Sequence, residues 1–101
     1  MLNQNLIDAQ EMSKKHPKTF SVPTDKELRG IKKGDFVKIC VEAAAANGKV
    51  LSERIWVEVD EVMNLFVLGQ LANNPVCFHA KLGDKIKIQR KHIYAIMDPC
   101  R

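Results

Sequence analysis

Two central segments of the chain, residues 35–41 and 50–63, alternate apolar and polar side chains as half-buried β-strands do. The apolar positions fall on one face of each strand: Val37, Ile39, Val41, Ile55, Val57 and Val59. Between the two segments lies the dipeptide Asn47-Gly48, which is the strongest short signal for a hairpin turn. The pattern therefore predicts an antiparallel pair of strands, with residues 43–48 as the end of the first strand and the turn.

Shorter apolar segments follow and predict further strands. They occupy residues 65–71, 76–80 and 85–89, and residues 91–97 hold a last apolar piece that is extended or one helical turn. Gly69 interrupts the first of these segments, which indicates a bend or a bulge. A turn at residues 73–75 separates the first segment from the second.

The spacing of apolar side chains before these strands is helical. Over residues 2–16 it predicts an amphipathic N-terminal helix, and residues 18–23 look extended. Thr24 is followed three residues later by Glu27, which is the capping-box pattern. We therefore expect a short helical turn that ends at Gly30.

One turn sequence occurs twice, at residues 32–39 and 81–88. In both copies Gly-Asp precedes a strand that alternates apolar side chains with lysine. The glycine can adopt a positive φ angle, and the aspartate can bond to nearby backbone amides. We interpret the repeat as one turn device used twice, with no duplicated function.

These elements predict the fold. Five or six short strands with bulges and tight turns are enough to curl a sheet on itself. We expect an α+β fold in which a short N-terminal helix packs on a small, strongly bent antiparallel sheet or SH3-like barrel. The 101 residues suit a single domain, with the helix at residues 2–16 and mostly barrel-like β structure over residues 18–98.

Composition excludes several classes of protein. The hydrophobic fraction is 46% and the charged fraction 28%, so a largely disordered chain is excluded. No apolar run approaches the roughly 20 residues of a membrane span, and no secretory signal is evident. Three cysteines without CxxC spacing argue against a disulfide scaffold. We therefore predict a cytoplasmic protein without membrane contact.

The formal net charge of +4 is unevenly distributed. Residues 14–38 and 81–92 are basic, and residues 39–61 between them are acidic. If the basic segments meet in space, they form a positive face that attracts a polyanion. Nucleic-acid binding is therefore one hypothesis. It would use Lys32, Lys33, Lys38, Lys85, Lys87, Arg90 and Lys91, with the rings of Trp56 and Phe36 for stacking.

Four segments carry a resemblance to a known family by their order and spacing. They are Phe20-Ser21-Val22-Pro23, Lys33-Gly34-Asp35-Phe36-Val37-Lys38, Trp56-Val57-Glu58-Val59, and Gly69-Gln70-Leu71-Ala72-Asn73-Asn74-Pro75 followed by Leu82-Gly83-Asp84. Over residues 20–98 the chain resembles the YegJ-like bacterial domain of unknown function. The resemblance implies a bacterial protein with a compact sheet domain. It supplies no catalytic residues, since the family has no established activity.

Two groups of reactive side chains invite a catalytic interpretation. Cys77 and His79 would share a strand face as a thiol and an imidazole. Glu58 and Asp60 would share another face, with Cβ atoms roughly 7 Å apart. The default explanations of these groups are a cysteine buried as a small hydrophobe and carboxylates on a solvated strand face. No phosphate loop, nucleophile elbow or zinc spacing occurs, so we predict no enzyme, no cofactor and no metal.

Trp56 is the most informative single residue. It shares a strand face with Arg54 and Glu58, and a tryptophan beside polar groups is typical of binding surfaces. Alternatively, the N-terminal helix or the segment around Phe20 covers it as a second small core. Asn74 is a further candidate, in a ligand loop or in a simple turn. The leading hypothesis is a non-catalytic binding module for a protein partner, as a monomer or homodimer.

Overall fold

A six-stranded antiparallel sheet with short helices forms the fold in the computed structural model, which describes residues 5–44 and 47–97. The strands are β1 (Asn5–Leu6), β2 (Phe36–Ala44), β3 (Val50–Val62), β4 (Val67–Leu71), β5 (Lys85–Ile88) and β6 (Ala95–Ile96). The helices are α1 (Ala9–Lys15), α2 (Asp25–Arg29) and a 3-10 helix (Arg90–His92). None of the helices in the described ranges is long and apolar enough to cross a membrane.

The sheet is strongly curled, and its strand order runs β1-β2-β3-β4-β5. β6 pairs with the same edge of β2 as β1 does, a few residues further along. No pairing joins β5 to β1 or β6 in the described part of the chain, so the curl stops at half a barrel. The predicted α+β class with a small, strongly bent antiparallel sheet is confirmed.

A bulge in β3 contributes to the curl. Val59 pairs with Gly69, whereas Glu61 already pairs with Leu68, so Asp60 is an extra residue on β3. A bulge increases local twist and reverses the alternation of faces beyond it. Val62 therefore packs against the core, although strict alternation would place it outside. The irregularity predicted at Gly69 is confirmed, with the extra residue on the facing strand.

The core lies on the inner face of the curled sheet. The predicted alternation of β2 and β3 is confirmed, since all six of their inward side chains are at most 1% exposed. Leu28 from α2, Ile31 after it and Ile93 after the 3-10 helix join the same cluster. Full burial of such a side chain contributes about 1.5–3 kcal/mol each. The inner face is therefore filled, and the polar side chains of the strands project from the outer face.

The hairpin between β2 and β3 forms where the sequence predicts it. Ala44 pairs with Val50, so the connection spans residues 45–49 rather than two residues. Asn47 accepts a hydrogen bond at its Oδ1 from the backbone N–H of Lys49, at 3.1 Å. The predicted turn at 43–48 includes residues 45 and 46, which lie outside the described residues.

The repeated Gly-Asp turn has the same geometry in both copies. Gly34 has a φ of +93°, and the carboxylate of Asp35 accepts from the backbone N–H of Lys32 at 3.0 Å. The second copy repeats the bond at 3.0 Å around Gly83, with a φ of +89°. Each turn precedes a strand, and the interpretation of one turn device used twice is confirmed.

The N-terminal helix is shorter than the predicted 2–16. Asn5 and Leu6 form β1 instead, and α1 begins only at Ala9. Asp8 sets this start, because its carboxylate accepts from the backbone N–H of Glu11 at 3.0 Å. Residues 2–4 lie outside the described residues. The capping box predicted for α2 is confirmed, as is its end at residue 30.

The strand predicted at residues 76–80 is wrong. This segment is an irregular loop, held by the carboxylate of Glu53 on β3. The carboxylate accepts from the backbone N–H of Val76 at 2.8 Å and of Cys77 at 2.7 Å. A side chain thus satisfies amides that a neighbouring strand would otherwise bind. Residues 18–23, which were predicted to be extended, connect α1 to α2, and a turn covers the first two of them.

Replacing Gly69 tests the close contact at the bulge. A Cβ atom there would lie 2.5 Å from the carbonyl oxygen of Glu58 and 2.5 Å from Val57 Cγ1. We expect Gly69→Ala to lower the free energy of unfolding by about 1–3 kcal/mol, measured by urea denaturation. Gly30→Ala is the matched control, since its Cβ meets nothing closer than 3.5 Å. It should change stability by less than about 1 kcal/mol, and equal losses in the two variants would contradict this account.

Candidate functional site

The outer face of the sheet brings most of the predicted site residues together. Lys38 lies opposite Trp56, and Glu58 lies between Phe36 and Gln70. The row continues to β5, where lysines face outward. The predicted residues on this face are Arg54, Trp56, Glu58, Lys38, Lys85 and Lys87.

Cations and aromatic rings form a cluster on this face. Lys38 Nζ lies 5.0 Å from the centroid of the Trp56 ring and 5.8 Å from that of Tyr94. The Cζ atom of Arg54 lies 5.5 Å from the centroid of Tyr94. All three distances are within the range of cation–π attraction. Phe20 completes the group, with its ring 5.6 Å from that of Tyr94. We call these five residues the cation–aromatic cluster.

The backbone explains why these side chains meet. Lys38 and Trp56 are direct cross-strand partners on β2 and β3. The backbone N–H of Tyr94 donates to the carbonyl of Lys38 at 3.1 Å, immediately before β6 joins the edge of β2. The backbone N–H of Trp56 donates to Asn73 Oδ1 at 2.8 Å, where β4 has already ended. Hydrogen bonds therefore fix the main chain of Lys38, Trp56 and Tyr94 in this cluster.

Tyr94 occupies an unusual environment in this cluster. Its hydroxyl is buried and has no hydrogen-bond partner among the described residues. Burial raises the pKa of Tyr94 to about 12, although the charge of Arg54 acts in the opposite direction. A groove of about 250 Å³ runs beside it, lined by Thr19, Phe20, Ser21, Arg54, Tyr94 and Ala95. The groove thus joins aromatic, hydroxyl and guanidinium groups.

The carboxylate of Asp60 is fully engaged on the outer face. Its Oδ2 accepts from Lys85 Nζ at 2.8 Å, and its Oδ1 accepts from Gln70 Nε2 at 3.0 Å. The hydrogen bond from Lys85 is the main reason that the pKa of Asp60 is lowered. A carboxylate held ionised in this way is unsuited to donate a proton. Within the predicted pairing with Glu58, Asp60 is therefore unsuited to the role of general acid.

The basic residues of the nucleic-acid hypothesis are divided among several places. Lys85 binds Asp60, and Lys32 lies 3.2 Å from the carboxylate of Asp35. Lys87 Nζ lies 4.6 Å from the centroid of the Phe66 ring. Arg90 is turned to another part of the fold, where it donates to main-chain carbonyls. On the outer face, the lysines alternate with carboxylates rather than forming a continuous basic track.

Cys77 and His79 are not arranged as the sequence predicted. They lie in the irregular loop at residues 76–80, so no strand aligns them on one face. Burial, followed by the charge of Glu53, raises the pKa of the Cys77 thiol, which disfavours a nucleophilic thiolate. Over residues 5–44 and 47–97, no three His, Cys, Asp or Glu side chains are grouped to hold a metal ion.

Asn74 stabilises the loop that follows β4. Its Oδ1 accepts from the backbone N–H of Leu82 at 2.8 Å, which ties the two ends of the loop together. Sequence reasoning missed Tyr94 and its contact with Phe20, since the segment around Phe20 was considered only as a cover for Trp56. Their partners are fixed by β6 at the edge of β2, and a two-residue strand leaves almost no alternation to detect. The one feature of the sequence that could have drawn attention to Tyr94 is that it is the only tyrosine of the chain.

A comparison with protein families places the chain. Residues 2–98 match the model of a family described as an uncharacterised protein conserved in bacteria, DUF2314. The chain belongs to this family. The match confirms an uncharacterised bacterial family and also covers the residues before Phe20, where no resemblance was noted. No curated protein and no solved structure gives a significant match.

Titration of Tyr94 tests its buried environment. Because its folded-state pKa is raised from 10.0 to about 12, the protonated form is favoured in the folded protein. The resulting stabilisation is present below the ordinary pKa and is lost as pH rises through the folded-state pKa. We expect the tyrosinate absorbance of the folded protein to appear only near pH 12. A midpoint close to that of the urea-unfolded chain would contradict this environment.

Alkylation of Cys77 tests the influence of Glu53. Since burial and the Glu53 carboxylate both raise the pKa of the thiol, we expect Glu53→Gln to accelerate alkylation by iodoacetamide near neutral pH, severalfold over the wild type. Mass spectrometry of the peptides separates this thiol from the other two. Glu61→Gln is the control, because it removes a carboxylate from the outer face. An unchanged rate in Glu53→Gln would show that the carboxylate does not control the thiol.

Proposed function

We propose that this chain is a non-catalytic protein-interaction module and that the cation–aromatic cluster is its contact surface. The observation that carries the proposal is the placement of Lys38 and Arg54 over the rings of Trp56 and Tyr94 on the outer face. Tryptophan, tyrosine and arginine are the residues most enriched among the energetic centres of protein interfaces. Their concentration on one face supports binding rather than catalysis.

The cluster is ordered before any partner binds. Cross-strand pairing and the main-chain bonds of Trp56 and Tyr94 hold the rings in position. A preordered surface loses less side-chain entropy on association than a mobile one. This arrangement supports a binding role for side chains that the core does not need.

Charge on the outer face favours a protein over a nucleic acid. Asp60 and Glu61 lie on the same face as Lys85 and Lys87, and Lys85 is already paired. Lys38 lies over the Trp56 ring, so a base would have to displace it to stack on that side. Mixed charge around aromatic side chains suits a protein surface of complementary pattern.

The groove beside Tyr94 indicates what a partner would offer. Arg54 provides a guanidinium at its rim, and Thr19 and Ser21 provide hydroxyl groups. The Tyr94 hydroxyl lacks a partner in the described part of the chain. A partner segment with a carboxylate side chain would satisfy these donors.

The proposal also covers the cellular location, the narrower family and the assembly state of the protein. A cytoplasmic location is supported by Cys40 and Cys77, which form no disulfide among the described residues. A YegJ-like membership is supported by the four matching sequence segments. A monomer or homodimer is the assembly state that we propose for a domain of this size.

Capture of a partner by surface variants tests the function. Wild type, Arg54→Glu and Trp56→Ala are immobilised and exposed to a bacterial lysate with and without nuclease. We expect the wild type to capture a defined protein that survives nuclease, and the purified partner to bind Arg54→Glu at least about tenfold more weakly. Lys49→Glu, an equal charge change at an exposed position of the hairpin turn, should bind as the wild type does.

Each other outcome counts against the proposal. Capture that disappears with nuclease would favour the nucleic-acid alternative, which steep salt dependence would then support. Equal binding by wild type, Arg54→Glu and a folded Trp56→Ala would show that the contact surface lies elsewhere. Thermal unfolding of each variant separates lost binding from lost structure, and the exposed Arg54 is the safer substitution. Failure to capture any protein would refute the interaction module.

A further inference from the structure

A second concave surface lies away from the outer face of the sheet, between α1, α2 and the 3-10 helix. It is an open cleft of about 430 Å³, a volume typical of small-molecule sites. Its lining consists of Gln10, Lys14, Asp25, Leu28, Arg29, Arg90 and Lys91. None of these residues belongs to the cation–aromatic cluster, so the cleft is independent of the proposed protein-interaction surface.

The lining of the cleft is strongly basic. It carries the cations Lys14, Arg29, Arg90 and Lys91 against the carboxylate of Asp25. None of the four cations forms an ion pair with another side chain in the described ranges. Four cations beside a single carboxylate leave a net excess of positive charge, and an anion between them reduces their mutual repulsion.

Both basic segments of the sequence supply this cleft. Lys14 and Arg29 come from residues 14–38, and the other two cations come from residues 81–92. The positive surface expected from their meeting therefore forms here, between helices. It does not form on the sheet, where carboxylates interrupt the lysines.

Two buried donors in the lining lack acceptors. Gln10 Nε2 and Arg90 Nε have no hydrogen-bond partner among the described residues. The other guanidinium nitrogens of Arg90 donate to the carbonyls of Asn64 and Met63, each at 3.0 Å. These bonds fix the guanidinium, while the buried Nε has no acceptor among the described residues. A buried donor without an acceptor is unfavourable, and a ligand oxygen would relieve it.

We infer that this cleft binds a small oxyanionic ligand. Arginine and lysine donors recognise phosphate and carboxylate oxygens through short charge-assisted hydrogen bonds. The excess of cations favours a ligand with more than one negative charge, and Leu28 offers an apolar wall to its organic part. A phosphate ester and a polycarboxylate share this chemistry, and the experiment below distinguishes them.

Titration with three probes tests the site. Inorganic phosphate, phenyl phosphate and citrate are added at constant ionic strength, with chloride as the balancing ion. Binding is followed by calorimetry and by the backbone amide shifts of the protein. We expect saturable binding, with the largest shifts at the lining residues. Preference for the two phosphates identifies a phosphoryl ligand, and preference for citrate identifies a polycarboxylate.

Matched charge reversals decide whether the cleft is responsible. Arg29→Glu and Lys91→Glu should weaken binding by at least about tenfold. Lys26→Glu is the control, since it makes the same charge change on an exposed position of α2 outside the lining. Arg54→Glu should leave binding unchanged, which separates this inference from the proposed protein-interaction surface. Equal weakening by Lys26→Glu would reduce the effect to net charge and overturn the inference.

Gln10→Met gives an independent test. The substitution removes a buried donor at similar volume, so the ligand-free variant should unfold at a higher temperature than the wild type. The same variant should bind the preferred probe more weakly. If neither the unfolding temperature nor the affinity changes, the donor has no role. Absence of saturable binding by all three probes would overturn the inference outright.

Discussion

The one-residue bulge at Asp60 is the feature on which the rest of the structure depends. It reverses the alternation of β3, so Val62 reaches the core while Asp60 and Glu61 both remain on the outer face. Gly69 permits it, because any larger residue would meet the main chain of β3. The added twist helps to curl the sheet far enough for one set of helices and loops to fill its inner face. With the core complete inside, side chains on the outer face are not needed for packing, which leaves them for the binding role that we propose.

The edge of β2 determines what that outer face becomes. Two short strands, β1 and β6, cover successive parts of this edge, which blunts a long strand that would otherwise invite pairing with another chain. β6 has a second effect, because Tyr94 immediately precedes it and is carried to Lys38 and Arg54. The short strand β6 therefore both protects the edge of β2 and brings Tyr94 into the cation–aromatic cluster.

Local patterns in the sequence were sufficient for the central strands and the turns, whereas tertiary partners were not. The alternation of β2 and β3 is visible within each strand and does not depend on distant residues. Each Gly-Asp turn is closed by a hydrogen bond between two residues that lie three positions apart. The loop at residues 76–80 depends on Glu53, more than twenty residues away, and its apolar letters resemble a strand. The start of α1 was a different error, since Asp8 and Glu11 carry a capping signal that the apolar spacing obscured.

The positions of the strands and helices also determine where the acidic and basic segments of the chain lie. The acidic middle of the chain forms much of β3, so its carboxylates lie between the lysines of the sheet and neutralise Lys85. The four cations that line the cleft between the short helices form no ion pair within the described ranges. A chain of modest net charge can thus carry two different surfaces. Positive and negative side chains balance on the outer face of the sheet, whereas cations dominate in the cleft. This contrast in chemistry between the two surfaces is the basis on which we propose separate sites for a protein partner and an oxyanion.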